Sequence, residues 1–187
     1  HAVGTSPWSI CVAEALGLFP GQAVQRLSLH FPHLVRALNV YYASAPFSVT
    51  AGVMIYLYLL QPDRYVQWRW VLAVTTGLAL IVFVAFPMMP PRLITTEFGQ
   101  YQFVDTLRTI GGLWSFDSGP IAKLSNQYAA MPSLHFAWSV WCALALWPRL
   151  RHRWSRTLAV AHPTITGVAV VATANHFWLD AAAGVAV

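Results

Sequence analysis

The stretch AAMPSLHFAWSVWCALALW, Ala129 to Trp147, sets a polar cluster directly at the head of an apolar run. Pro132 has the fixed φ that suits a first helical position, so the pattern predicts a helix starting at Met131 or Pro132 and spanning about 17 residues to Trp147. Ser133, Leu134 and His135 then fall in its first turn. Amides there lack intrahelical partners and the helix dipole is positive, so Ser133 and its neighbouring N–H groups could receive a phosphate beside His135. The plainer alternative is a helix start with an interfacial histidine, and these residues alone leave it open.

Composition narrows the class. Of 187 residues 57% are hydrophobic and only 9% charged, with nine Trp, which is too apolar for an ordinary soluble domain and reads as an integral membrane protein. The net charge of +5 does not indicate nucleic acid, because four of the eleven Lys and Arg crowd between Arg149 and Arg156 and long apolar segments separate the rest. Cys11 and Cys142 are isolated, so neither a disulfide framework nor a zinc motif is expected. The chain starts without Met and stops inside an apolar segment, so a single membrane domain over 1–187, truncated at both ends, is expected.

Outward from the opening stretch, the apolar run Trp8 to Phe19 is too short to span and predicts an interfacial or re-entrant helix, followed by a short helix from about Gly21 to Leu29. Val40 to Leu60 is an uncharged stretch of 21 residues that Pro46 would kink, with Tyr41, Tyr42, Tyr56 and Tyr58 suited to the membrane interfaces. Trp70 to Phe86 gives a second span of 17 residues, and Pro87, Pro90 and Pro91 end it just before Arg92. The long connection 93–130 suggests short helices over Phe103 to Leu113 and Gly119 to Gln127, and loops of this length are usually functional. Thr157 to Ala174 is a further apolar segment, then Asn175, His176 and a last helix carrying Asp180.

Charge orients these spans. The turns Gln61 to Arg69 and Pro148 to Arg156 hold six Arg and one acid, whereas the long loop balances Arg92, Arg108 and Lys123 against Glu97, Asp105 and Asp117. The positive-inside rule places the Arg-rich turns in the cytoplasm. Arg92, His135 and His176 are then expected together on the external face.

His176 and Asp180 stand four apart, one turn of a helix, where a carboxylate can take one imidazole N–H and fix the tautomer. An Asp in an apolar helix is costly unless paired, which favours function over a structural bond. Two histidines on one face also admit haem ligation or a transporter subunit. His30, His33, His152 and His162 read as interfacial or packing residues.

Together MPSLH (131–135), PPRL (90–93) and NHFWLD (175–180) resemble the type 2 phosphatidic acid phosphatase superfamily, most closely its inositolphosphotransferase-like branch, which includes the inositol phosphorylceramide synthases. The resemblance implies an all-α polytopic membrane bundle of about six helices, with five present here and the last cut short. It also implies metal- and cofactor-independent transfer through a phosphohistidine. By position, His176 would be the nucleophile, Asp180 its orienting carboxylate and His135 the acid for the leaving oxygen. Arg92 and Ser133, through its amide and hydroxyl, would hold the phosphoryl oxygens. The implied partners are a lipid phosphate, the membrane and an alcohol acceptor such as inositol, with no nucleic acid. The chain departs from the superfamily pattern at Ala85, where a Lys is common, at Ala169 and Val170, where Ser-Arg is common, and at Leu134, usually Gly. Asn175, Lys123 or Gln127 is expected to substitute for the missing cations.

Overall fold

The computed structural model describes residues 21–86, 88, 90–93, 103–112 and 131–186, and every regular element among them is helical. The helices expected at Trp8 to Phe19 and Gly119 to Gln127 lie outside the described residues. In chain order they are α1 (Gly21–Leu29), α2 (Pro32–Leu60), α3 (Pro62–Ala85), a 3-10 turn (Pro91–Leu93) and the single turn α4 (Thr106–Thr109). Then follow α5 (Leu134–Leu146), a second 3-10 turn (Trp147–Arg149), α6 (Arg153–Ala172) and α7 (Trp178–Ala186).

Proline sets two of these starts. Pro32 and Pro62 occupy the first turns of α2 and α3, where the missing N–H would have no intrahelical partner in any case. This carries α2 eight residues upstream of the expected Val40, and the polar His33 and Arg36 ride on the added turns. Both helices are long and apolar enough to cross a bilayer. Their apolar side chains mostly face outward rather than into the bundle: Ile55 and Leu59 on α2 and Leu78, Ile81 and Val84 on α3 are all exposed, Val84 to 84%. A core helix of a soluble protein would bury such residues; here they suit lipid.

α5 corrects the length expected of the opening stretch. It has 13 helical residues, about 20 Å at 1.5 Å per residue, because Pro148 follows and the chain tightens into the 3-10 turn. This short helix is central, packing against α2, α3, α6 and α7. Small residues permit that closeness: Ala137, Ser139 and Ala145 on α5 and Ala169, Ala172 and Ala181 on its neighbours are buried. Between α2, α3 and α5, Val53, Leu57, Trp141, Cys142 and Ala145 form one core cluster. Indole donors stitch it, Trp141 Nε1 to Trp68 O at 3.0 Å and Trp138 Nε1 to Thr76 Oγ1 at 3.0 Å. At the other end of the bundle Tyr42, Val170 and Val171 form a second cluster, against which Val24 and Trp178 pack.

Candidate active site

The corner between α6 and α7 carries the site. Ala174 adopts φ +55°, and its N–H reaches Val171 O at 3.0 Å while Asn175 N–H reaches Val170 O at 2.9 Å. These two bonds are the helix-ending pattern in which a left-handed residue turns the chain and satisfies the last carbonyls. His176 N–H also donates to Val170 O, at 3.1 Å, so His176 is held outside both helices. The expectation that His176 and Asp180 share one turn of the last helix is corrected here, since α7 begins only at Trp178. Asp180 is the third residue of α7 and its Oδ2 accepts the Phe177 N–H at 2.8 Å, half of a capping box. The same oxygen stands 3.6 Å from His176 Nδ1, so one carboxylate both starts the helix and faces the histidine.

Both other motifs hang on this corner by backbone bonds. Arg92 N–H donates to Ala174 O at 2.9 Å, and Ser133 N–H donates to Asp180 O at 2.9 Å. Ser133 is therefore the N-cap of α5, with extended φ −73° and ψ 104°, and its own carbonyl takes the Ala137 N–H at 3.0 Å. The helix starts at Leu134, two residues later than the expected Pro132, because the Asp180 carbonyl holds Ser133 in this extended form. The Ser133 amide expected in a phosphate cradle is thus engaged elsewhere. Its hydroxyl is not: Ser133 Oγ is buried and has no hydrogen-bond partner among the described residues. Gly184 makes the approach possible, since a Cβ there would lie 2.6 Å from Ser133 O.

The two histidines come together as expected, with ring centroids 6.5 Å apart. Tyr42 lies against both, its ring 4.2 Å from that of His135 and 6.4 Å from that of His176. Phe47 closes on His135 edge-on at 5.3 Å. Tyr42 is buried here rather than interfacial as expected. The missed signal is the stripe Val35, Asn39, Tyr42, Pro46, Thr50, Val53 and Leu57, all buried and recurring every three or four residues.

Arg92 stands in the 3-10 turn Pro91–Leu93. Its Nη1 donates to Asp105 Oδ2 at 3.1 Å, a pairing sequence reasoning missed. Asn175 donates through Nδ2 to Thr173 Oγ1 at 2.7 Å, a bond that competes with any substrate-binding role. Lys123 and Gln127 lie outside the described residues. Ala169 and Val170, at the positions where the superfamily has Ser-Arg, are completely buried, and Val170 packs against Tyr42. Among the remaining histidines, His162 Nδ1 sits 2.6 Å from Tyr41 OH between α6 and α2, a packing role as expected.

Three sequence-distant motifs thus meet at one corner, with an Arg, two His, one Asp and a Ser hydroxyl that has no partner among the described residues. Neither the curated proteins nor the solved structures include a match to the chain. The sequence model of the PAP2 superfamily does match, over residues 9–187, and the chain belongs to that superfamily.

Proposed function

We propose that this membrane protein is a lipid-phosphate phosphatase or phosphotransferase working through a covalent phosphohistidine on the external side of the membrane. Superfamily membership carries the phosphatase-type chemistry. The observation that carries the roles is the His135–His176 pair, 6.5 Å apart, with Asp180 facing Nδ1 of His176. With Nδ1 turned to the carboxylate, the nucleophilic lone pair falls to Nε2. In the first step Nε2 bonds to phosphorus, the bond from phosphorus to the lipid oxygen breaks, and His135 gives that oxygen a proton. In the second step water, or an alcohol such as inositol, attacks the phosphohistidine and His135 takes the proton back.

Charge developing on the phosphoryl oxygens meets Arg92, the Ser133 hydroxyl and the first amides of α5. The external placement is supported by topology: the Arg-rich segments 61–69, now the first turns of α3 rather than a polar turn, and 148–156 lie at the opposite ends of α2, α5 and α6 from the histidine corner. The inositolphosphotransferase-like reading rests on the buried Ala169 and Val170, which leave no cation in the superfamily's usual place.

Purified protein is to be assayed with phosphatidate, with prenyl diphosphate and with phospholipid plus inositol, scoring free phosphate against new phosphodiester. Protein quenched in alkaline detergent from a labelled substrate should carry alkali-stable, acid-labile phosphate at His176, and His176→Ala should abolish it. Full turnover by His176→Ala would sink the assignment. A Soret band lost on changing either histidine would instead establish the haem alternative. That alternative fits poorly with Tyr42, whose ring is packed against both imidazoles.

A further inference from the structure

Resting on the proposed function, we propose that Asp105 is a positioning residue for Arg92, and that Gln25 holds Asp105 in place from α1. The segment 103–112 contains only the single turn α4, too short to be stable on its own, so its position must come from outside. Three side chains provide it. Gln25, buried in α1, grips both backbone groups of Val104: its Nε2 donates to Val104 O at 2.7 Å, and Val104 N–H donates to its Oε1 at 3.1 Å. Asn39 on α2 donates through Nδ2 to Thr106 O at 3.1 Å and to Gly111 O at 2.9 Å. Thr106 Oγ1 lies 3.3 Å from Thr173 O, at the end of α6 just before the corner that carries His176.

Asp105 sits between these clamps with its carboxylate divided. Oδ1 takes the Leu107 and Arg108 amides as the N-cap of α4, and Oδ2 takes Arg92 Nη1. The ion pair is nearly out of solvent, the two side chains being 8% and 13% exposed. A guanidinium so buried needs a compensating charge, and a carboxylate fixed by two amides cannot follow it. Arg92 is therefore held at two points, its backbone on Ala174 and its guanidinium on Asp105. The rest of its five-donor fork is preorganised for a phosphoryl group instead of searching rotamers. The carboxylate also has a cost: its negative charge beside Arg92 weakens binding of a ground-state anion.

These two effects pull in opposite directions, which makes the role separable from mere structural support. Asp105→Asn keeps a capping oxygen and removes the charge; Gln25→Ala loosens the arm without changing charge near Arg92. Each purified variant is compared with wild type for kcat, for inorganic phosphate affinity by tryptophan fluorescence, and for Tm. Asp105→Asn is expected to lose about tenfold or more in kcat while binding phosphate about threefold tighter. Gln25→Ala should lose kcat by about tenfold with no tightening. A folded Asp105→Asn without both changes, or a folded Gln25→Ala with wild-type kcat, overturns the proposal. Should Asp105→Asn not fold, Asp105→Ser retains a capping oxygen and takes the same criteria. Failure of the phosphohistidine reading shows separately, as turnover by His176→Ala, and leaves the phosphate affinities to judge the arm.

Discussion

Ser133 is where the proposed phosphate cradle meets stability in a single side chain. Its hydroxyl is buried with no partner among the described residues, an arrangement that costs stability, whereas its amide and carbonyl are both bonded. Replacing it by Ala removes an unsatisfied group and breaks no bond. Ser133→Ala should therefore melt no lower than wild type, and up to about 1 kcal/mol more stably, while its kcat/KM falls about tenfold or more. A thermal melt beside a phosphate-release assay checks both arms; a large loss of Tm would mean the hydroxyl is structural. His135 separates by leaving group. In the proposed role of proton donor it would matter for an alkyl lipid alcohol and little for an aryl phosphate whose phenolate leaves unaided. His135→Ala should lose about a hundredfold or more on phosphatidate and much less on p-nitrophenyl phosphate. Equal losses on the two would remove the proton-donor role.

Among the elements, the start of α7 couples fold and site through Asp180. Its carboxylate caps the Phe177 amide and faces His176 at once. An Asn oxygen can still accept from Phe177, but it does not carry the charge that stabilises an imidazolium. Asp180→Asn should hold Tm within a few degrees and lose kcat, whereas Asp180→Ala should lose both, the cap being worth about 1 kcal/mol. The contact between α7 and α5 depends on Gly184. A methyl group there would meet the Ser133 carbonyl at 2.6 Å, so Gly184→Ala must push the α5 N-terminus away and carry Ser133 and His135 with it. Its signature is a fall in both Tm and kcat that no second change at Ser133 side-chain level repairs, measured on the purified double variant Gly184→Ala, Ser133→Ala.

For the whole molecule, the outward apolar faces of α2 and α3 are the surface the bilayer covers. Leu78, exposed at the middle of the apolar stretch Trp70 to Phe86, should not tolerate a charge: Leu78→Arg is expected to cost about 2.5–3.5 kcal/mol of insertion and to leave little protein in the membrane fraction. Orientation is open to a direct measurement. In a cysteine-free background, Arg151→Cys and Thr109→Cys should label from opposite sides of intact cells or vesicles, Thr109→Cys from outside. Labelling of both from one side would remove the topology, and with it the external site.

Much of this is legible in the sequence. Helix identity followed from long uncharged runs and from Pro and Gly at their ends, since in a bilayer the backbone must satisfy its own hydrogen bonds. The short α1 was legible to the residue, and the motif residues Arg92, His135, His176 and Asp180 stood out as polar groups at the edges of apolar segments. Boundaries were less legible where tertiary bonds override local preference. The Asp180 carbonyl draws Ser133 out of the helix that Pro132 alone predicts, and the Val170 carbonyl holds His176 out of α7. Burial was also hidden: Tyr42 reads as a belt residue until α2 is seen to turn it toward the histidines. The Asp105–Arg92 pair joins residues 13 apart across a loop without periodicity, so no pattern announced it. The sequence by itself thus determined the helices and the chemical types gathered at their ends, because both depend on local composition. Only the tertiary structure decided which donor meets which acceptor, because those bonds join segments up to 125 residues apart, and their geometry exists only once the helices are packed.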